Sequence, residues 1–155
     1  MTLPPRPPKR SAQPPRLQDT IRLSADGLAK VLGDLEARVM KVVWRIGEPV
    51  PARAVHDEVL KEHDVAVLTV VTVLNKLVEK RLLARRKRDG LLHYSALLTE
   101  EELTTQMSRR IVESILSFSP QAVAASLVDV LGEQDREQLE ELGRLVRRRL
   151  RQDGQ

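Results

Sequence analysis

Thr69, Thr72 and Lys76 share a helical stripe, flanked by Asn75, within VAVLTVVTVLNKLVEK, residues 65–80. Their groups make hydrogen bonds rather than covalent bonds. A Thr hydroxyl donates or accepts and its methyl can cover a thymine methyl; an Asn amide can meet adenine or a phosphate. Leu68 flanks the stripe with an apolar contact, and Lys76 and Lys80 add cations. A few residues on, Arg85, Arg86, Lys87 and Arg88 continue an acid-free run begun by Arg81. Short polar groups for base edges, bordered by cations for phosphates, are what a reader of double-stranded DNA requires. Taken singly, each feature has a blander reading, since Thr tolerates solvent and a charge run is more often a solvated face. The order of the surrounding elements decides between them.

Three helices and a hairpin are expected to hold these groups. Leu35, Val39, Val42, Val43 and Ile46 recur at helical spacing over Asp34–Ile46, and Gly47, Glu48 and Pro49 end that helix. Trp44 is expected at the edge of its core. A second helix starts near Pro51 or Ala52, buries Val55, Val59 and Leu60, and gives way to a turn at Glu62, His63 and Asp64. The third segment is rich in β-branched residues, which favours a strand. Its apolar pattern nevertheless continues through Leu77 and Val78, too long for a typical strand. As a helix it places Val67, Val70, Val71, Leu74, Leu77 and Val78 on one side, with Thr69, Thr72, Lys76 and Glu79 on the other. Leu82–Lys87 and Leu91–Ala96 then flank Arg88-Asp89-Gly90, a tight-turn signal for a hairpin.

The remainder predicts three more helices. Thr99 and Glu102 have capping-box spacing, opening a helix with Leu103, Met107, Ile111, Ile115 and Phe118. Ser119-Pro120 starts the next, carrying Val123, Leu127 and Leu131, with Gly132 as its expected stop. The last carries Leu139, Leu142, Val146 and Leu150, is acidic first and ends in Arg144, Arg147, Arg148, Arg149 and Arg151, matching the helix dipole. Narrow apolar stripes are best buried against a second copy. The expected dimerisation set is Leu103, Met107, Ile111, Ile115, Leu127, Leu131, Leu139, Leu142 and Val146; a monomer would instead fold them back on the first domain.

Composition narrows the function. Residues 1–30 hold six basic and two acidic residues, whereas residues 31–155 hold 20 of each, so the net +4 resides in the leading segment. That proline-rich stretch is expected to be disordered, either a plain tail or a basic arm adding phosphate attraction. The absence of cysteine removes disulfides, thiol catalysis and Cys-ligated metals. His56, His63 and His93 lack metal-site spacing and read as surface histidines; no Walker loop, GxGxxG or nucleophile elbow is present. No cofactor, metal or enzymatic activity is expected. The apolar runs are too short to span a membrane, and a cytoplasmic location is expected.

Leu32–Pro49 (LGDLEARVMKVVWRIGEP), Ala52–Leu60 (ARAVHDEVL), Thr69–Leu83 (TVVTVLNKLVEKRLL) and the segment His93–Glu102 (HYSALLTEEE) together resemble the penicillinase-repressor and methicillin-resistance-repressor family of bacterial winged-helix regulators, which includes copper-responsive repressors. The resemblance covers about 70 residues, from Leu32 to Glu102. It implies transcriptional repression by a homodimer, with winged-helix domains on a dyad-symmetric operator and intertwined C-terminal helices. It also implies relief by cleavage in the C-terminal region, linked to a membrane-embedded sensor protease. Carried onto this chain, the recognition positions are Thr69, Thr72, Asn75 and Lys76. Val67 and Leu68 stand where the family typically has Tyr followed by Thr or Ser, so a different operator is implied. The cysteines of the copper-responsive branch are absent, the usual cleavage junction has no clear counterpart near Ser114–Phe118, and the 30-residue basic extension departs from the family pattern.

The expected architecture is therefore mainly α with a small β-hairpin wing: an extension at 1–30, a winged helix-turn-helix domain at 31–98 and a three-helix dimerisation region at 99–152. The competing function on the same residues is a winged-helix adaptor whose basic wing meets an acidic protein.

Overall fold

The computed structural model describes Pro15, Ile21, Arg22 and residues 27–155. The extension expected over residues 1–30 thus lies mostly outside the described residues. Two compact units divide at Ser108 and Arg109.

In the first unit, a 3-10 turn at Gly27–Lys30 leads into α1 (Asp34–Ile46). Arg22 grips this entrance: its Nη2 donates to the carbonyls of Ala29 at 2.7 Å and Leu32 at 3.1 Å, and to Asp34 Oδ1 at 2.9 Å. α1 buries Ala37, Val39, Met40, Val42 and Val43, and ends where Gly47, at φ 74°, donates its N–H to the Val43 carbonyl. Glycine adopts that left-handed conformation without a Cβ penalty. Trp44 lies at the edge of the core, as expected, and its indole N–H donates to the Leu98 carbonyl at 2.9 Å.

Val50–Pro51 forms a short strand, β1, before α2 (Ala52–Leu60). α2 buries Val55 and Val59, but Leu60 is exposed, because it turns one residue past the buried edge at the helix end. Glu58 accepts from Lys61 at 2.8 Å and faces Arg45 at 3.4 Å. The Lys61 hydrogen bond chiefly holds the Glu58 carboxyl below its ordinary pKa. His56 is more than a surface histidine: its Nε2–H donates to the Val65 carbonyl at 2.7 Å and closes the turn between α2 and α3.

α3 runs over Val67–Glu79. Its buried stripe is Val70, Val73, Leu74 and Leu77, an i, i+3, i+4, i+7 set. Val67, expected inside, is exposed in the first turn, while Val73 takes a buried place that the sequence reading did not assign. The end of α3 is a Schellman motif, with Leu82 N–H on the Leu77 carbonyl at 3.0 Å and Arg81 N–H on Val78 at 3.0 Å. Arg81 occupies its left-handed position at φ 61°, where a Cβ is unfavourable. Arg81→Gly should therefore raise the stability of the unit by about 0.5–1 kcal/mol, the relieved strain being partly offset by the freedom glycine gains in the unfolded chain. Chemical denaturation at constant ionic strength checks this.

Strands β2 (Leu83–Arg88) and β3 (Leu91–Ala96) form the expected hairpin. Asp89 at φ 52° and Gly90 at φ 81° make its turn, the paired left-handed geometry that matches strand twist. β1 also pairs with β3, Val50 opposite Tyr94, so the sheet has three antiparallel strands in the order β1-β3-β2. α4 (Glu100–Leu116) begins with the reciprocal capping box: Glu102 N–H to Thr99 Oγ1 at 3.0 Å and Thr99 N–H to Glu102 Oε2 at 3.1 Å. Leu103 and Met107, expected in the dimerisation set, are buried within a single chain, in this first unit. The reason is positional: they lie in the first two turns of α4, before the division within that helix.

The second unit comprises the rest of α4, α5 (Pro120–Gln134) and α6 (Arg136–Asp153). Ser119 Oγ accepts from the Ala122 N–H at 3.4 Å and Pro120 sits in the first turn of α5. Gly132 does not end α5. Asp135 does, donating its N–H to the Leu131 carbonyl at 2.8 Å while its side chain caps α6 through Gln138 N–H at 3.1 Å. At Gly132 an added Cβ would stand 3.5 Å from Leu139 Cδ2, an ordinary van der Waals contact, so nothing in the helix requires glycine there. Neither α5 nor α6 buries a side chain.

Candidate nucleic-acid interface

The surface around α3 follows from its orientation. Because Val70, Val73, Leu74 and Leu77 point inward, Leu68, Thr69, Thr72, Lys76 and Glu79 point outward, with Asn75 half-buried between. Leu68 is the most open of these apolar groups at 75% exposure. Thr69 Oγ1 and the Lys76 ammonium have no side-chain partner among the described residues. Thr72 is different: its hydroxyl donates to the Leu68 carbonyl at 2.9 Å. The hydroxyl hydrogen is spent, leaving lone pairs and a methyl to meet a ligand.

Lys80, expected among the phosphate-binding cations, is committed elsewhere. Its ammonium lies 2.6 Å from Glu36 Oε2, with the two side chains 23% and 14% exposed. The pair ties the end of α3 to the first turn of α1. Removing one partner would leave a half-buried charge without its counterion, which favours a structural role.

The wing supplies the other cations. The register sets Arg85 opposite Tyr94, Arg86 opposite His93, Lys87 opposite Leu92 and Arg88 opposite Leu91. All four basic side chains are exposed, and none pairs with a carboxylate among the described residues. Alternation along a strand puts Arg85 and Lys87 on the side of the ribbon occupied by Tyr94, and Arg86 and Arg88 on the other. Arg85 Nη1 reaches Asn75 Oδ1 at 2.8 Å, joining wing to α3. Leu91 and Leu92 are exposed near the tip and were missing from the expected interface. They pair in register with Arg88 and Lys87, which sets two apolar groups beside the wing cations.

The second arginine run lies on α6 in the other unit. There Arg144 forms a two-point contact with Glu141, at 2.9 and 2.6 Å, which lowers the Glu141 pKa and raises that of Arg144. Arg149 pairs with Asp153 at 3.1 Å. Among the described residues no group of His, Asp and Glu is arranged to hold a metal ion, and no helix is long and apolar enough to cross a membrane.

Three packed helices, the third exposed beside a three-stranded basic wing, define a winged-helix protein. A family model described as Penicillinase repressor matches residues 32–146. The chain is 33% identical over 102 residues to the protein named Transcriptional regulator BlaI in Mycobacterium tuberculosis strain CDC 1551 / Oshkosh, covering 65% of this chain and 74% of that relative. The same figures hold for the protein of that name in Mycobacterium tuberculosis strain ATCC 25618 / H37Rv. The chain belongs to the penicillinase repressor family. That membership places it among transcriptional regulators of the repressor kind.

Proposed function

We propose that the chain acts as a homodimeric, sequence-specific repressor that binds a dyad-symmetric operator in cytoplasmic DNA. The observation carrying this reading is the shared surface of α3 and the wing: exposed Thr69, Thr72 and Lys76 beside Arg85, Arg86, Lys87 and Arg88, with no carboxylate paired to those wing cations among the described residues. A major groove is wide enough to admit a helix such as α3, whose inner face is anchored from behind. Thr72 offers a base its lone pairs and methyl, fitting the amino group of adenine or cytosine or a neighbouring thymine methyl. Leu68 adds an apolar contact. Lys76, Arg86, Lys87 and Arg88 serve phosphates, which set affinity without reading sequence.

Dimerisation is supported by the second unit. Three helices there leave Ile115, Leu127, Val128, Val146 and Leu150 exposed, and Phe118 is 89% exposed. A two-fold pairing of such surfaces would bury them and present two winged helices to a palindrome.

A footprint across the DNA upstream of the gene, with excess competitor DNA, tests the proposal. The expected result is a protected dyad with half-sites about one helical turn apart. Thr72→Ala should weaken the protected site by about 1–3 kcal/mol while hardly changing binding to random DNA. Arg86→Ala should weaken both alike. Binding that ignores sequence and vanishes with modest salt would favour an adaptor with an acidic protein partner instead.

A further inference from the structure

Asn75 sits where three elements meet. Its Oδ1 accepts from the Tyr94 hydroxyl at 2.9 Å and from Arg85 Nη1 at 2.8 Å. Arginine only donates, so the atom facing it must be the amide oxygen, and its two lone pairs are both engaged. Reading adenine needs that same oxygen to accept from the base amino group while Nδ2 donates to the ring nitrogen. The oxygen meets a base only if the Tyr94 hydroxyl, on a side chain 1% exposed, or the Arg85 guanidinium gives up its bond.

Tyr94 and Arg85 are cross-strand neighbours on one side of the hairpin. Asn75 thus binds both strands of the wing at one point. One guanidinium nitrogen of Arg85 is held there, and its remaining donors face no carboxylate among the described residues. A long side chain fixed in this way loses less freedom when it meets an anion, and a planar guanidinium suits a phosphate.

We propose that Asn75 is a positioning residue, fixing Arg85 between α3 and the wing to hold a phosphate of the DNA backbone, and that it does not read a base. This rests on α3 facing DNA. It makes Asn75 a determinant of affinity on every sequence, in contrast with Thr72.

The test uses the full chain with a random-sequence duplex and a duplex selected from a random pool by the wild type. Binding is measured across salt, with thermal melts to establish that each variant is folded. Arg85→Ala should lower the magnitude of the negative slope of log affinity against log salt by about 0.9, the loss of one phosphate contact. Across a fourfold rise in salt this shrinks the fall in affinity roughly threefold. Asn75→Ala should lower the slope alike, and Asn75→Ala with Arg85→Ala should lower it no further. Asn75→Asp keeps both accepted hydrogen bonds, so it guards against simple unfolding. Its charge neutralises Arg85, and the same reduced slope is expected with the selected-to-random affinity ratio unchanged. Wild-type slopes in both Asn75 variants, or a collapse of that ratio in either, would overturn the proposal and leave the repressor reading standing. A wild type that binds neither duplex would remove both.

Discussion

Leu103→Ala is expected to destabilise the winged-helix unit by about 2–4 kcal/mol, lowering its melting temperature by roughly 10–20 °C. Leu103 has 0% exposure and lies in the first turn of α4, inside the first unit. Truncation leaves a cavity that a close-packed core refills only in part. The shift should be equal at protein concentrations a hundredfold apart, since the cavity opens within one chain. A shift that grows on dilution would return Leu103 to a subunit interface. DNA binding should persist below the lowered melting temperature, because no group of α3 or the wing is removed.

Leu127→Glu should have the opposite signature. Leu127 is 47% exposed on α5, so in a single chain the change is nearly neutral. In a two-fold interface it would place two unpaired charges in an apolar contact, each costing several kcal/mol, and weaken dimerisation by more than about a hundredfold. Sedimentation should then find a folded monomer with an unchanged helical spectrum, and the operator should be lost at concentrations where wild type saturates it. A wild type already monomeric at high concentration would remove the proposed dimer. A variant that stays dimeric would move the interface away from Leu127, leaving Ile111, Ile115, Leu131, Leu139, Leu142 and Val146 to be tested in the same way.

What could be read from the chain was what depends on near neighbours. The limits of α1, the Asp89-Gly90 turn and the Thr99–Glu102 box are each set within a few residues, and each appears as expected. The winged-helix class followed from their order. Long-range choices were less legible. Lys80 spans 44 residues to reach Glu36, and Asn75 meets groups 10 and 19 residues away, so neither side chain's role was visible locally. Val67 and Val73 exchanged places because apolar spacing gives a stripe but not the angle at which a neighbouring helix meets it. Gly132 looked like a stop, yet Asp135 offered both a C-terminal backbone bond and an N-terminal side-chain cap. Leu103 and Met107 shared a helix with interface candidates, and sequence spacing alone did not show where the first core ended.

The indole of Trp44, held against the Leu98 carbonyl, gives the molecule an internal optical label. It is the chain's sole tryptophan; Tyr94, its sole tyrosine, is buried in the same unit, and residues 109–155 contain Phe118 as their one aromatic. Fluorescence excited at the indole therefore follows the melting of the winged helix directly, while far-ultraviolet circular dichroism follows helix content in both units. Coincident transitions would reveal one cooperative molecule, and separated transitions would assign the fluorescent one to the winged helix without labelling or dissection.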